Sequence, residues 1–151
     1  MNGIEFFEHG LGRKGIDLEK VNEEISRYGL VLSQNQVVVL ESESDQILEK
    51  YGRISMNQDV LEEILKRFSD SPFIQSDEFI EIVLEIYEIF HYVKKELDDR
   101  IFDEELIDFL YESFNGVCKG SIEYLGEKVA YDFIQNFEPV MRGALDEFSR
   151  K

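Results

Sequence analysis

An all-α fold is predicted for this chain by three features: apolar residues recurring at spacings of three and four, polar capping residues ahead of those stripes, and glycines closing them. The reading is a compact bundle or orthogonal array of six to seven helices joined by short turns. The chain has 151 residues, the size of one domain, and 43% of it is hydrophobic, including 12 Phe and 7 Tyr. That is enough apolar material to bury a core although 32% of the residues are charged. Residues 1–15 are expected to be a flexible leader and residues 16–151 a single helical domain.

The first helix is expected between Ile16 and Gly29, with Leu18, Val21, Ile25 and Tyr28 on one stripe. Asp17 caps it, Ile16 and Val21 form a hydrophobic staple, and Gly29 supplies a left-handed stop. Ser33-x-x-Gln36 is a capping box for the next helix, with Leu32 and Val37 as staple and Gly52 as stop. Its middle, Glu41 to Gln46, is polar and reads as largely solvated. A short β-hairpin over residues 30–40 competes, because Val37-Val38-Val39 is β-branched; the caps favour helix. Val60, Leu61, Ile64, Leu65 and Phe68 mark a third helix, whose opposite face pairs Glu62 with Lys66 and Glu63 with Arg67. Ser71-Pro72 breaks the chain.

The stretch Phe79–Phe90 is strand material by propensity, yet Glu78, Glu81, Glu85 and Glu88 repeat at three and four. Those glutamates draw one acidic line along a helix with apolar residues nearly everywhere else, so this is the expected central helix. Asp103 is the expected cap of the next, with Glu104 and Glu105 against its N-terminal dipole, an inward face of Leu106, Ile107, Leu110 and Phe114, and a stop at Asn115-Gly116. Ser121 opens another helix with Ile122, Leu125, Val129, Phe133 and Phe137 on one stripe. Pro139 fits the first turn of a last helix carrying Met141, Ala144, Leu145 and Phe148.

Charge narrows the function. With 16 Lys+Arg against 33 Asp+Glu the net is −17, which repels nucleic acid and anionic membrane surfaces and suits a basic protein partner. Between Ser76 and Ser113 stand 13 acids and three bases, a local net of −10. The single cysteine, Cys118, allows neither an intramolecular disulfide nor a multi-cysteine metal site, as expected for a cytoplasmic chain. Neither a signal peptide at Met1–Glu8 nor a membrane-length apolar run is read.

Motifs that would carry chemistry are incomplete. Gly10-x-Gly12-x-x-Gly15 matches a dinucleotide fingerprint as a string, but no alternating strand and helix pattern follows it. Gly116 to Ser121 resembles a phosphate loop with wrong spacing; Lys119, Gly120 and Ser121 remain as a candidate anion site at a helix start. Glu88-x-x-His91 has the spacing of a di-iron half-site, but His9 is the other histidine and lacks the matching glutamate. Cys118 reads as an inert thiol. No metal or cofactor is implied, and no catalytic residue is assigned.

Three blocks carry a resemblance: Gly52-Arg53-Ile54, Ser71-Pro72-Phe73-Ile74, and Asp103 to Phe109 running through Phe114-Asn115-Gly116 to Gly120-Ser121-Ile122-Glu123-Tyr124-Leu125. Together they resemble a family of small uncharacterised bacterial proteins over about Ser33–Leu125. The family pattern has a glycine-rich stretch after its Arg-Ile element, where this chain has Ser55-Met56-Asn57-Gln58, and a cysteine before Ser-Pro, where this chain has Ser69. The resemblance implies no activity, cofactor or site residue.

The function expected from these readings is a non-catalytic interaction domain that binds another protein through an acidic surface of Glu78, Glu81, Glu85, Glu88, Glu104, Glu105 and Asp108. Self-association is left open. Two alternatives stand beside it: a ligand-binding module or small enzyme with a pocket near residues 116–121, and a nucleic-acid mimic that occupies a basic protein.

Overall fold

A computed structural model describes residues 16–53 and 59–137. The glycine-rich leader, His9, residues 55–58 and the expected helix after Pro139 lie outside those residues. Six helices are described: α1 (Leu18–Ile25), α2 (Gln34–Lys50), α3 (Asp59–Phe68), α4 (Phe79–Glu96), α5 (Asp103–Asn115) and α6 (residues 122–137). No strand occurs among the described residues, so the Val37-Val38-Val39 run is helical and the hairpin over 30–40 is absent. The chain divides into two compact units, one ending at Glu88 and one beginning at Ile89.

In the first unit the caps form as read. Asp17 accepts from the Lys20 amide at 3.1 Å, and a 3-10 turn (Ser26–Tyr28) carries α1 to Gly29 at φ +81°. Ser33 and Gln36 complete both halves of the capping box, and Leu32 and Val37 are buried beside it. Gly52 ends α2 at φ +65°. Val21, Ile25, Leu40, Leu61, Ile64, Leu65, Phe68, Val83 and Ile86 are fully buried.

Three local expectations fail there. Tyr28 is exposed, since the 3-10 turn winds more tightly than the α-helix and carries it off the stripe. Ser44 is buried within the polar middle of α2; its hydroxyl donates to the Glu41 carbonyl at 2.9 Å, which makes burial tolerable. Glu62 does not face solvent with Lys66. It is buried and accepts the Asp17 amide at 3.1 Å, while Glu41 accepts the Ile16 amide at 2.9 Å. Two carboxylates therefore hold the chain's entry into α1, where unpaired N–H groups and the helix dipole favour negative charge. Lys66 instead lies 3.9 Å from Glu63.

The second unit comprises the C-terminal part of α4 with α5 and α6. Asp103 is not the cap of α5: Phe102 occupies that position without a side-chain bond. The Asp103 carboxylate pairs with Lys94 at 2.6 Å, and the buried Lys94 ammonium also donates to the Ile101 carbonyl at 2.8 Å. That ion pair fixes the α4–α5 turn, in which Asp98 and Asp99 both take left-handed backbone. Gly116 ends α5 at φ −97°, and a Cβ there would stand 2.7 Å from the Glu112 carbonyl oxygen; the left-handed residues come later, at Lys119 and Gly120. Glycine is needed at 116 for space.

The main departure lies in α6. It opens with a short α segment (Ile122–Tyr124) capped by Ser121, widens into a π turn over Leu125–Val129, and resumes α geometry over residues 130–137. The Ala130 amide bonds the Leu125 carbonyl, five residues back. One extra residue in a turn rotates everything after it by about 100°. Leu125, Ala130 and Ile134 are thereby buried, whereas the Val129, Phe133 and Phe137 part of the expected stripe is only half-buried.

Candidate functional site

The acidic line on α4 appears where the glutamate spacing put it. Glu78 lies in the 3-10 turn before the helix (Ser76–Glu78); Glu78, Glu81 and Glu85 are exposed, and Glu88 is half-buried. Beside this line α2 and α4 border an open cleft of about 340 Å3, lined by Glu43, Gln46, Ile47, Lys50, Leu84, Glu85 and Glu88. Ile47 and Leu84 give it an apolar floor, and three carboxylates surround the floor. Lys50 is its cation. The Lys50 ammonium pairs with Glu88, whose same oxygen accepts the Tyr51 hydroxyl at 3.1 Å. The bond to Glu88 raises the Lys50 pKa above its ordinary value, and partial burial followed by the Glu88 charge raises that of Tyr51. Glu88 is thus held in place, and Glu43, Glu81 and Glu85 are exposed on this face.

Glu104, Glu105 and Asp108 are exposed on α5, in the second unit. Within one helix they form a patch of their own, on the first turns where acids stabilise the dipole.

The turn over 116–121 is internally bonded. The Lys119, Gly120 and Ser121 amides donate to the Gly116, Phe114 and Cys118 carbonyls, and the Ser121 hydroxyl accepts the Tyr124 amide at 3.2 Å. The donors that would cradle an anion are engaged in closing the turn, and the exposed Lys119 side chain is what remains. Cys118 is buried, and desolvation raises its thiol pKa. His91 is buried with its ring edge-on to Phe90 at 5.0 Å. Among the described residues no group of three His, Cys, Asp or Glu side chains is arranged to hold a metal ion, and no described helix is long and apolar enough to cross a membrane.

Sequence reasoning missed one surface. Phe109, Val117, Tyr124, Val129, Phe133 and Phe137 line an open apolar groove of about 540 Å3 between α5 and α6. Phe109 and Phe133 stack at 4.2 Å, and Phe133 lies 5.5 Å from Phe137. The groove adjoins the 116–121 turn through Val117 alone; Cys118, Lys119 and Ser121 do not line it. Its signal in the sequence was two competing apolar stripes in α6, which a regular helix cannot both bury.

A family model matches residues 17–143, more than four fifths of the chain; it describes a family of unknown function, DUF6323. The chain belongs to that family. The match reaches beyond the Ser33–Leu125 resemblance at both ends, so α1 and all of α6 are part of what defines DUF6323. Membership in DUF6323 brings no activity with it. No curated protein matches the chain, and no solved structure does.

Proposed function

We propose that this chain is a non-catalytic docking module that takes a basic segment of a partner protein on the α2–α4 cleft. One observation carries the reading: exposed carboxylates of Glu43 and Glu85 flank an apolar floor of Ile47 and Leu84 in an open cleft, with Glu81 extending the acidic edge. An arginine or lysine side chain fits such a place twice over, its aliphatic stem on the floor and its cation on the rim. Charge also steers the encounter, because a chain of net −17 attracts basic partners from beyond contact range.

Spacing favours a protein over the mimicry of nucleic acid. From Glu81 to Glu88 the helix rises about 10 Å over three carboxylates, roughly 5 Å per charge, whereas one strand of DNA places a phosphate every ~3.4 Å of axis. Glu88 is moreover matched by Lys50. The line is sparser than a phosphate backbone.

The test is capture of partners on the full chain, compared with E81K/E85K, at about 0.05 M and about 0.5 M salt. A partner held by the native chain at low salt, released by salt and lost on the double charge reversal is expected. A partner retained equally by both chains, or indifferent to salt, removes the cleft as its binding place.

A further inference from the structure

The apolar α5–α6 groove has a different character from the acidic cleft, and its charges say what covers it. Its charged lining residues are Lys128 and Asp132, which bond one another at 3.1 Å, and Asn136 completes the polar edge. The lining is electrically neutral on a chain of net −17. A basic partner has little to gain there. A second acidic chain meets less repulsion there than at the acidic faces. Contiguous apolar surface, half-buried at Phe109, Phe133 and Phe137 and exposed at Val117 and Tyr124, is the kind that marks an interface.

The geometry points to a second copy of this chain as the occupant, packed two-fold with α6 against α6 in antiparallel register. A two-fold interface must be self-complementary: what residue i offers to j, j must offer to i. The lining of α6 meets that condition about a centre level with Ala130. Lys128 and Asp132 stand two residues either side of the centre, so Lys128 comes opposite the partner's Asp132, and Asp132 opposite the partner's Lys128. Tyr124 and Asn136 stand six residues either side, so a phenol meets the partner's carboxamide twice. Phe133 stands three residues past the centre and Val129 one before it, so Phe133 lies about 3 Å along the axis from the partner's Val129, within reach of a phenyl ring. The π turn creates this face: it moves Val129, Phe133 and Phe137 off the core line and leaves Leu125, Ala130 and Ile134 to fill it.

Sedimentation equilibrium of the full chain over about a hundredfold range of concentration decides the matter. A mass rising from 17.7 kDa toward twice that value is expected. F133E should hold the mass at one chain throughout, with helicity unchanged by circular dichroism. K128D and D132K, taken singly, should each weaken association roughly tenfold or more, because each sets like charges opposite one another twice. The double variant K128D/D132K restores both pairs and should return to within about threefold of the native chain. Added salt should tighten the dimer by screening the repulsion of two acidic chains, the opposite of its effect on a basic partner, so the two readings fail separately. A mass of one chain at every concentration would overturn the proposal, and so would a dimer indifferent to F133E, which would mean another face or occupant. A double variant no better than the single ones would overturn the register. A groove covered by residues 138–151 of the same chain, or by a foreign helix, shows as the first of these outcomes.

Discussion

At the scale of single residues, the most consequential contacts are ones that sequence separates widely. Asn22 on α1 bonds both backbone groups of Leu32: its amide nitrogen donates to the Leu32 carbonyl at 3.0 Å, and its oxygen accepts the Leu32 amide at 2.8 Å. This fixes the link from Gly29 to the capping box, and with it the entry into α2. Removing one partner of a part-buried pair leaves the other unmet, which costs more than the bond itself contributes. Asn22→Ala should therefore lower stability by about 1–3 kcal/mol, read as a lower urea midpoint at unchanged slope. Asn22→Asp should recover little, since its carboxylate would face the Leu32 carbonyl. A midpoint unmoved by either change would show that water satisfies Leu32 as well as Asn22 does. Nothing local in the sequence marks Asn22. Glu41 and Glu62 are alike in this: both read as solvated acids, and both prove to hold the start of α1.

Among the elements, legibility followed the range of the signal. Caps and stops act over three or four residues, so Asp17, Ser33-x-x-Gln36 and Ser121 could be placed from the sequence, as could the left-handed Gly29 and Gly52. The glutamate line fixed α4 as a helix against its residues' liking for strands, since a helical period survives in the spacing whatever the propensities are. The apolar face of α6 was misread because the stripe rule assumes 3.6 residues per turn throughout, and a π turn breaks that rule without a required residue type. Gly126 is a second hint beside the competing stripes, and it acts through space: a Cβ there would come within 3.3 Å of Ile89 Cδ1 on α4.

The extra residue of α6 gives a prediction at the same scale. Deleting the exposed Glu127 would leave Leu125, Ala130 and Ile134 four residues apart in turn, the spacing a regular helix buries. The deletion variant should fold, with a melting temperature within about 5 °C of the native chain. Deleting the equally exposed Glu112 from α5 should be far worse, because Phe114 would rotate away from Leu106, Ile107 and Leu110; a loss above about 2 kcal/mol is expected. Equal damage from both deletions would show that the π turn is not a removable insertion in a regular helix.

For the molecule as a whole, charge is the quantity that acts everywhere. The 33 acids outnumber the 16 bases by 17, so like-charge repulsion outweighs attraction over the chain, and it is stronger in the folded chain, where the acids are closer than in the unfolded one. Salt screens this repulsion within a Debye length of about 10 Å at 0.1 M. It also weakens ion pairs, but Lys50–Glu88 and Lys128–Asp132 both have an exposed ammonium, and such pairs contribute little. The Lys94 pair with Asp103 has a buried ammonium and is screened less. Repulsion should dominate the balance. The melting temperature should therefore climb by several degrees between about 10 mM and about 200 mM sodium chloride. The scan belongs at one low protein concentration, since a dimer tightened by salt would raise the melting temperature for a separate reason. A melting temperature that falls with salt would mean that ion pairs outweigh repulsion in the fold, which would count against the acidic α4 face as a surface that draws in a basic partner.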